Sequence, residues 1–189
     1  MRAQIEALLA ERGAIKASEQ PLLRAALYRA KENGLLISPL PGTFVASGEL
    51  TIDSWLRAAA AWSAPLGVLH DQSAAGLWLP VDRTAQVHLA HPSLRGRGNI
   101  VISRRPIPPE FVVTLKDLRV ASPAFAATEM ASGDDGRAIC AALRLRLANP
   151  ESLRAATAAL AGTRGHRLRQ QAVVATADNP WSYAELRLH

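Results

Sequence analysis

Apolar side chains in the first 48 residues are spaced as in two helices followed by a hairpin. Residues three and four apart form one apolar stripe over 3–12 and another over 18–33, and each stripe predicts an amphipathic helix. Ser18 is a suitable N-cap for the second helix. Two short runs at 35–37 and 43–45, joined by a turn containing Pro and Gly, predict two strands. Helix, helix and hairpin in this order are typical of a winged helix-turn-helix.

Beyond residue 48 the pattern predicts a second domain that combines helices with a small sheet. Predicted helices cover residues 54–61, 72–79, 123–132, 135–147, 150–160 and 167–176, and predicted strands cover 86–89, 99–103 and 111–115. Ser122 and Asn149 each precede a proline, which is typical of an N-cap followed by proline at the first helical position. We therefore expect an α+β, mainly helical fold: a winged helix-turn-helix over 1–48 and an α+β domain with C-terminal helices over 49–177.

The last segment, residues 178–189, predicts the start of a further helix. Ser182 and Glu185 have the spacing of a capping box. The sequence ends shortly after Glu185, and so short a helix cannot support itself. Either this segment docks on the preceding domain or, as the favoured interpretation, it is the beginning of a further domain in a longer protein.

Composition and charge narrow the classes of function. The chain has 22 Lys and Arg against 16 Asp and Glu, a net charge of +6 that suits an acidic partner such as nucleic acid. A GC-rich genome would also enrich arginine. Residues 1–48 carry +2, 49–136 carry −1 and 137–189 carry +5. The single cysteine, Cys140, excludes a disulfide framework and a cysteine-based zinc site. No apolar run reaches 18 residues and no signal peptide opens the chain, so a cytoplasmic protein without membrane contact is expected.

The strongest candidate site is the outer face of the second predicted helix. Arg24, Tyr28 and Lys31 are spaced i, i+4 and i+7, so they share one side of that helix. A recognition helix needs such a cationic, solvated face to reach base edges and phosphates in the major groove. The further candidates are Arg29 beside this face, Lys16, Ser18 and Gln20 at the helix entrance, and Thr43 in the wing. An ordinary solvated helix face is the alternative interpretation.

Two further groups of arginines have both a functional and a structural interpretation. Possible secondary contacts to nucleic acid or to a partner are Arg144, Arg164, Arg167 and Arg169. Around two glycines lie Arg95, Arg97, Arg104 and Arg105, for which a solvated hairpin loop is the favoured interpretation over a phosphate or acidic-partner site. A solvated helix surface explains the first group nearly as well.

No catalytic constellation is recognisable, so an enzyme is not expected, nor a cofactor or a metal ion. His88 and His91 lie three apart in or beside a strand and do not project to one face as metal ligands would. His70 and the following Asp71 form an isolated pair at a helix start. Nothing resembles a nucleophile elbow, and Gly96–Gly98 is too short for a phosphate loop.

The order of several short motifs resembles that of AbiEi-type antitoxins of type IV toxin–antitoxin systems. The run 34–45 is similar to the wing of that family, 73–78 to one of its helices, 87–89 to a strand, and 122–124 to a turn into a helix. The resemblance spans roughly residues 5–177. It implies a DNA-binding antitoxin that represses its own operon through the winged domain, with the recognition role on Arg24, Tyr28 and Lys31. It also implies a nucleotidyltransferase-like toxin as the partner countered by residues from about 50 onward.

Two alternative functions stay open. The end of the chain, 179–186, is similar to the first helix of a restriction-endonuclease-like domain, so the chain could be the regulatory fragment of such a protein, catalytically inactive by itself. The uncharged turn of the wing, at 39–42, and the small charge of the N-terminal region also suit an adaptor that binds a toxin and barely touches DNA. The operator and the oligomeric state do not follow from the sequence.

Overall fold

The computed structural model describes residues 1–48, 50–82, 84–134 and 136–177. In this part of the chain the fold is α+β, as the sequence predicted, and about half of the residues are helical. The described elements, in chain order, are α1 (Arg2–Arg12), β1 (Ile15–Lys16), α2 (Arg24–Glu32), β2 (Leu36–Leu40), β3 (Thr43–Ala46), α3 (Ile52–Ser63), β4 (Val68–Leu69), α4 (Asp71–Trp78), β5 (Val87–Ala90), β6 (Ile100–Ser103), β7 (Val112–Leu115), β8 (Leu118–Ala121), α5 (Pro123–Met130), α6 (Arg137–Arg144), α7 (Pro150–Ala159) and α8 (His166–Ala177).

The chain divides into two compact units, and each unit is made of three separate segments of the chain. Unit 1 contains Met1–Leu69, Ala85–Pro106 and Thr114–Arg119. Unit 2 contains His70–Thr84, Ile107–Val113 and, among the described residues, 120–177.

The first sheet, in unit 1, has three antiparallel strands in the order β1-β3-β2. Ile15 pairs with Phe44 in the middle of this sheet, and Leu36 pairs with Ala46. The register of β2 shifts between Ile37 and Leu40, where Pro39 has no N–H to donate to a ladder. The apolar cluster on one side of the sheet joins α1 and α2 to it through residues that include Ile5, Ile15, Leu23, Leu27, Leu36 and Phe44.

The second sheet has the strand order β6-β5-β4-β8-β7. β5 runs parallel to β6 and antiparallel to β4. The three strands predicted from alternation are confirmed as β5, β6 and β7, each shifted by one residue at most. Sequence reasoning missed β1, β4 and β8, and two of these contain only two residues, too few to display a period.

Unit 2 is built mainly around α5, which packs against α4, α6, α7 and α8. Ala124, Phe125 and Thr128 are among its buried residues, and the Phe125 ring lies 5.1 Å from that of Phe111. The two predicted proline-associated caps are confirmed. Ser122 accepts a hydrogen bond from the Phe125 amide at 3.4 Å, and Asn149 forms a reciprocal capping box with Ser152.

The prediction of one continuous helix over 18–33 was wrong at its beginning. Ala17–Glu19 and Pro21–Leu23 form two separate 3-10 turns, and the α-helix starts only at Arg24. Between the turns Gln20 has φ −129° and ψ 63°, outside the helical region, because a residue before proline is forced away from it. Ser18 lies inside the first turn and caps no helix. The predicted helix start at Ser182 and the segment 178–189 lie outside the described residues.

Candidate nucleic-acid interface

The outer side of α2 presents Arg24, Tyr28 and Lys31 to solvent, and we call these three residues the α2 face. Leu27 of α2 and Leu23 just before it are buried in the cluster on one side of the first sheet. Helical spacing therefore fixes which side of α2 is available to a ligand. Arg29 is also exposed, next to this face.

Tyr28 connects α2 to the hairpin. Its ring meets the buried Phe44 ring of β3 edge to face, with the centroids 5.1 Å apart. Such a pair adds roughly 0.5–1.5 kcal/mol to the effect of area burial. Because 41% of Tyr28 stays exposed, its apolar body fixes α2 on the sheet while part of the side chain remains accessible.

The cations of α2, namely Arg24, Arg29 and Lys31, form no ion pair within 4.0 Å among the described residues 1–48, 50–82, 84–134 and 136–177. Arg29 and Lys31 lie in the last turn of α2, where the partial negative charge of the helix C-terminus favours them. A cationic surface of this kind suits a polyanion.

The three candidates before α2 differ in their accessibility. Ser18 is exposed, whereas Lys16 and Gln20 are half-buried. The Lys16 Nζ donates a hydrogen bond to the carbonyl oxygen of Ala64 at 2.8 Å, at the end of α3. Lys16 and Gln20 line a cavity of about 400 Å³ formed by unit 1 residues, so they do not extend the α2 face.

The expectation that Thr43 contacts DNA is corrected by its burial. Thr43 has no exposed surface, so its hydroxyl cannot reach a phosphate in this conformation. On β3, Phe44 packs into the cluster with α1 and α2, and α3 packs against β2 and β3. Both sides of β3 are therefore covered at Thr43 and Phe44, and in the turn of the hairpin Pro41 is exposed while Gly42 is half-buried.

The four arginines predicted as secondary contacts belong to unit 2 and have different surroundings. Arg144, Arg164 and Arg167 are exposed. Arg169 is half-buried, and its guanidinium donates to the carbonyl oxygens of Glu129 and Arg164 and to the Thr163 hydroxyl, at 2.8–3.3 Å. These hydrogen bonds join α5 to the start of α8, so Arg169 has a structural role.

Gly96, in the Arg95–Arg105 region, lies where the backbone leaves no room for a side chain. A Cβ at Gly96 would lie 2.8 Å from the carbonyl oxygen of Ile100, closer than real Cβ atoms approach. Arg95 and Arg97, between β5 and β6, and Arg104, just after β6, are exposed, which agrees with a solvated loop. The expectation of a hairpin was wrong, because β5 and β6 run parallel.

Sequence reasoning missed a buried histidine–glutamate pair in unit 2. His70 Nδ1 and Glu129 Oε1 are 2.9 Å apart, and the Asp71 amide donates to Glu129 Oε2 at 2.8 Å. Burial alone lowers the pKa of His70, but the hydrogen bond and the charge of Glu129, with the charge of Asp71, outweigh it and raise the pKa above 6.5. The partners are 59 residues apart, and no local pattern announces such a pair.

A second histidine, His91 in unit 1, has its pKa shifted in the opposite direction. Its Nδ1 accepts hydrogen bonds from the amides of Ser93 and Leu94 at 3.2 and 3.1 Å. Burial and the charge of Lys16 lower its pKa. The neutral ring therefore organises the turn after β5.

Within the residues that the structure describes, no three His, Cys, Asp or Glu side chains are grouped so that they could hold a metal ion. None of the helices in that part of the chain is long and apolar enough to cross a membrane.

Comparison with known proteins does not assign the chain to a family. No protein-family model matches it, and no curated protein sequence matches it at a significant level.

Proposed function

We propose that this protein binds double-stranded DNA through a winged helix-turn-helix in which α2 is the recognition helix and the β2–β3 hairpin is the wing. The observation that carries the proposal is the α2 face: cationic and aromatic side chains, exposed along one side of a helix that buries Leu27 in the cluster with the first sheet. In the part of the chain that the structure describes, Arg24, Arg29 and Lys31 form no ion pair with a carboxylate.

The order of the elements supports this proposal. α1, β1, two short turns, α2 and the hairpin follow one another, and β1 pairs with β3 so that the hairpin becomes part of a three-stranded sheet. The edge-to-face contact of Tyr28 with Phe44 connects α2 to that sheet. A rigid connection of this kind would place the helix and the wing on a duplex as one body.

The positions along α2 suggest a division of roles. Arg24 is the first residue of α2, the end of a recognition helix that reaches base edges, and its planar guanidinium suits the acceptors of guanine. Arg29 and Lys31 lie in the last turn, where contacts to phosphates are expected. The wing has no charge at its turn, so backbone amides near Gly42 would meet the phosphates.

The finer proposal follows from the resemblance to AbiEi-type antitoxins. In it the protein is a cytoplasmic, non-enzymatic autorepressor that binds its own operator and counters a nucleotidyltransferase-like toxin. The antitoxin part is tested separately from DNA binding: expression of this protein should relieve the growth arrest caused by the toxin encoded beside it. Unrelieved arrest at matched expression would contradict that part alone.

Fluorescence anisotropy with the DNA upstream of the gene tests the DNA-binding proposal, with a scrambled duplex alongside at two salt concentrations. Loss of the phosphate contact of Lys31 in Arg24→Ala/Lys31→Ala should reduce the slope of log K against log salt by about 0.9. If Arg24 contacts a base, its loss should also cost about 1–3 kcal/mol of discrimination against the scrambled duplex.

The matched control is Arg95→Ala/Arg97→Ala, which removes two exposed charges from the same unit, in the loop between β5 and β6. It should leave the affinity and the salt slope nearly unchanged. Equal, weak binding to both duplexes that neither double variant alters would refute the role of α2.

A further inference from the structure

Unit 1 contains a cavity of about 400 Å³ that the DNA-binding proposal does not use. Its wall is formed by parts of α1, β1, α3 and the turn between β7 and β8, and no residue of the α2 face lines it. The volume falls in the range of about 300–1,000 Å³ that is usual for small-molecule sites.

The cavity wall is cationic. Five basic side chains line it against three acidic ones, and one of each forms a pair with each other, Arg12 Nε lying 3.6 Å from Glu11 Oε1. The four other basic residues are Lys16, Arg57, Lys116 and Arg119. In the described ranges none of these four has a carboxylate oxygen within 4.0 Å.

Three of these cations are fixed in place by backbone carbonyls. Lys16 Nζ donates to Ala64 at 2.8 Å and Arg57 Nη1 donates to Arg12 at 3.0 Å. Arg119 Nη1 donates to Pro65. An ammonium has three N–H donors and a guanidinium five, so each group keeps donors for a ligand. Anchoring also removes much of the conformational entropy that binding would otherwise cost.

Part of the remaining wall is apolar, with Leu8, Ile15 and Leu118 from α1, β1 and β8. A free inorganic ion would leave these side chains without a contact. A small molecule with an organic part and a phosphate group would satisfy both kinds of wall.

We propose that this cavity binds a phosphate-bearing ligand through Lys16, Arg57, Lys116 and Arg119. The proposal is independent of DNA recognition by α2. The phosphate could belong to a free small molecule or to a nucleic-acid backbone, and the test below distinguishes these two sources.

The test is isothermal titration calorimetry of the full chain with AMP and with inorganic pyrophosphate as probes. The principal variant is Lys116→Asn/Arg119→Gln, in which asparagine suits the positive φ of 47° at position 116. Loss of two charge-assisted hydrogen bonds should weaken binding of the probes about 100-fold or more. The single variant Lys116→Asn, at an exposed turn residue, keeps the test valid if the double variant unfolds, and it should weaken binding about tenfold.

The control Arg95→Gln/Arg97→Gln removes the same charge from exposed positions of unit 1 that do not line the cavity, and it should bind both probes like the wild type. Equal weakening in the cavity and control variants, or no heat of binding with either probe at millimolar concentration, would overturn the proposal. If pyrophosphate competes with duplex DNA and the cavity variant loses DNA affinity, the phosphate comes from nucleic acid. If duplex binding is unaffected, the ligand is a free small molecule.

Discussion

Replacing Glu129 by alanine should destabilise the protein more than any replacement of an exposed carboxylate. The Glu129 side chain accepts from His70 Nδ1 at 2.9 Å and from the Asp71 amide at 2.8 Å. The second bond holds Asp71 at a positive φ of 51°, which residues with a side chain rarely adopt. Loss of the acceptor from a buried donor costs about 1–3 kcal/mol, and removal of one member of a buried pair costs about 3–5 kcal/mol. We therefore expect a loss of about 4 kcal/mol in the free energy of unfolding.

The same substitution should reverse the sign of the pH dependence that His70 contributes. In the wild type the pKa of His70 is raised above 6.5, so its stabilisation is complete below 6.5 and is lost as the pH rises through the folded-state value. Without Glu129, burial dominates and lowers the pKa of His70. The neutral ring is then preferred, and stability should be lost as the pH falls.

Urea unfolding followed by circular dichroism, at about pH 5.5 and about pH 8, measures both effects. With a slope of roughly 2 kcal/mol per molar urea, the expected loss lowers the midpoint by about 2 M. Glu129→Gln, which keeps the shape but brings an NH₂ group toward a donor, should lie between the wild type and Glu129→Ala. Glu110→Gln, at an exposed carboxylate of unit 2, is the control. A Glu129→Ala loss below about 1 kcal/mol, or an unchanged pH slope, would refute the assigned role of the pair.

Two further predictions concern unit 1. His91→Asn should make the free energy of unfolding less sensitive to acid. The pKa of His91 is lowered, so the stabilisation by its neutral ring is present above pH 6.5 and is lost as the pH falls. Asparagine can still accept hydrogen bonds from the Ser93 and Leu94 amides, and it does not titrate. Equal loss of stability at low pH in the wild type and the variant would contradict this. Leu27→Ala, at a fully buried position of α2, should lower the free energy of unfolding by about 2–5 kcal/mol, measured by thermal or urea unfolding. Arg24→Ala, at an exposed position of the same helix, should lower it by less than about 0.5 kcal/mol. Similar losses for both would show that α2 does not pack as described.

Several features of the fold could be predicted from the sequence because their causes are local. The period of apolar residues identifies α2 and the side on which Leu23 and Leu27 are buried. Asn149 before Pro150 announces the start of α7, since the cap and the proline act within one turn. Such signals extend over a few residues and survive in any tertiary context that leaves the element intact.

Other candidates could not be judged from the sequence because their surroundings come from distant segments. Alternation along β3 leaves Thr43 on the side opposite Phe44, and only the packing of α3 on the hairpin makes Thr43 inaccessible. An arginine such as Arg169 is expected from the sequence to lie at the surface, yet its guanidinium donates hydrogen bonds to the carbonyl oxygens of Glu129 and Arg164.

The α+β class, most helices and the shared side of Arg24, Tyr28 and Lys31 on α2 follow from the sequence, because backbone geometry converts spacing directly into direction. Which polar groups share a site depends instead on how distant segments pack together. The pairing of His70 with Glu129 and the cationic cavity around Lys16 and Arg119 join residues that are far apart in the chain. Burial, pKa values and cavities arise from this long-range packing, which spacing along the chain does not encode.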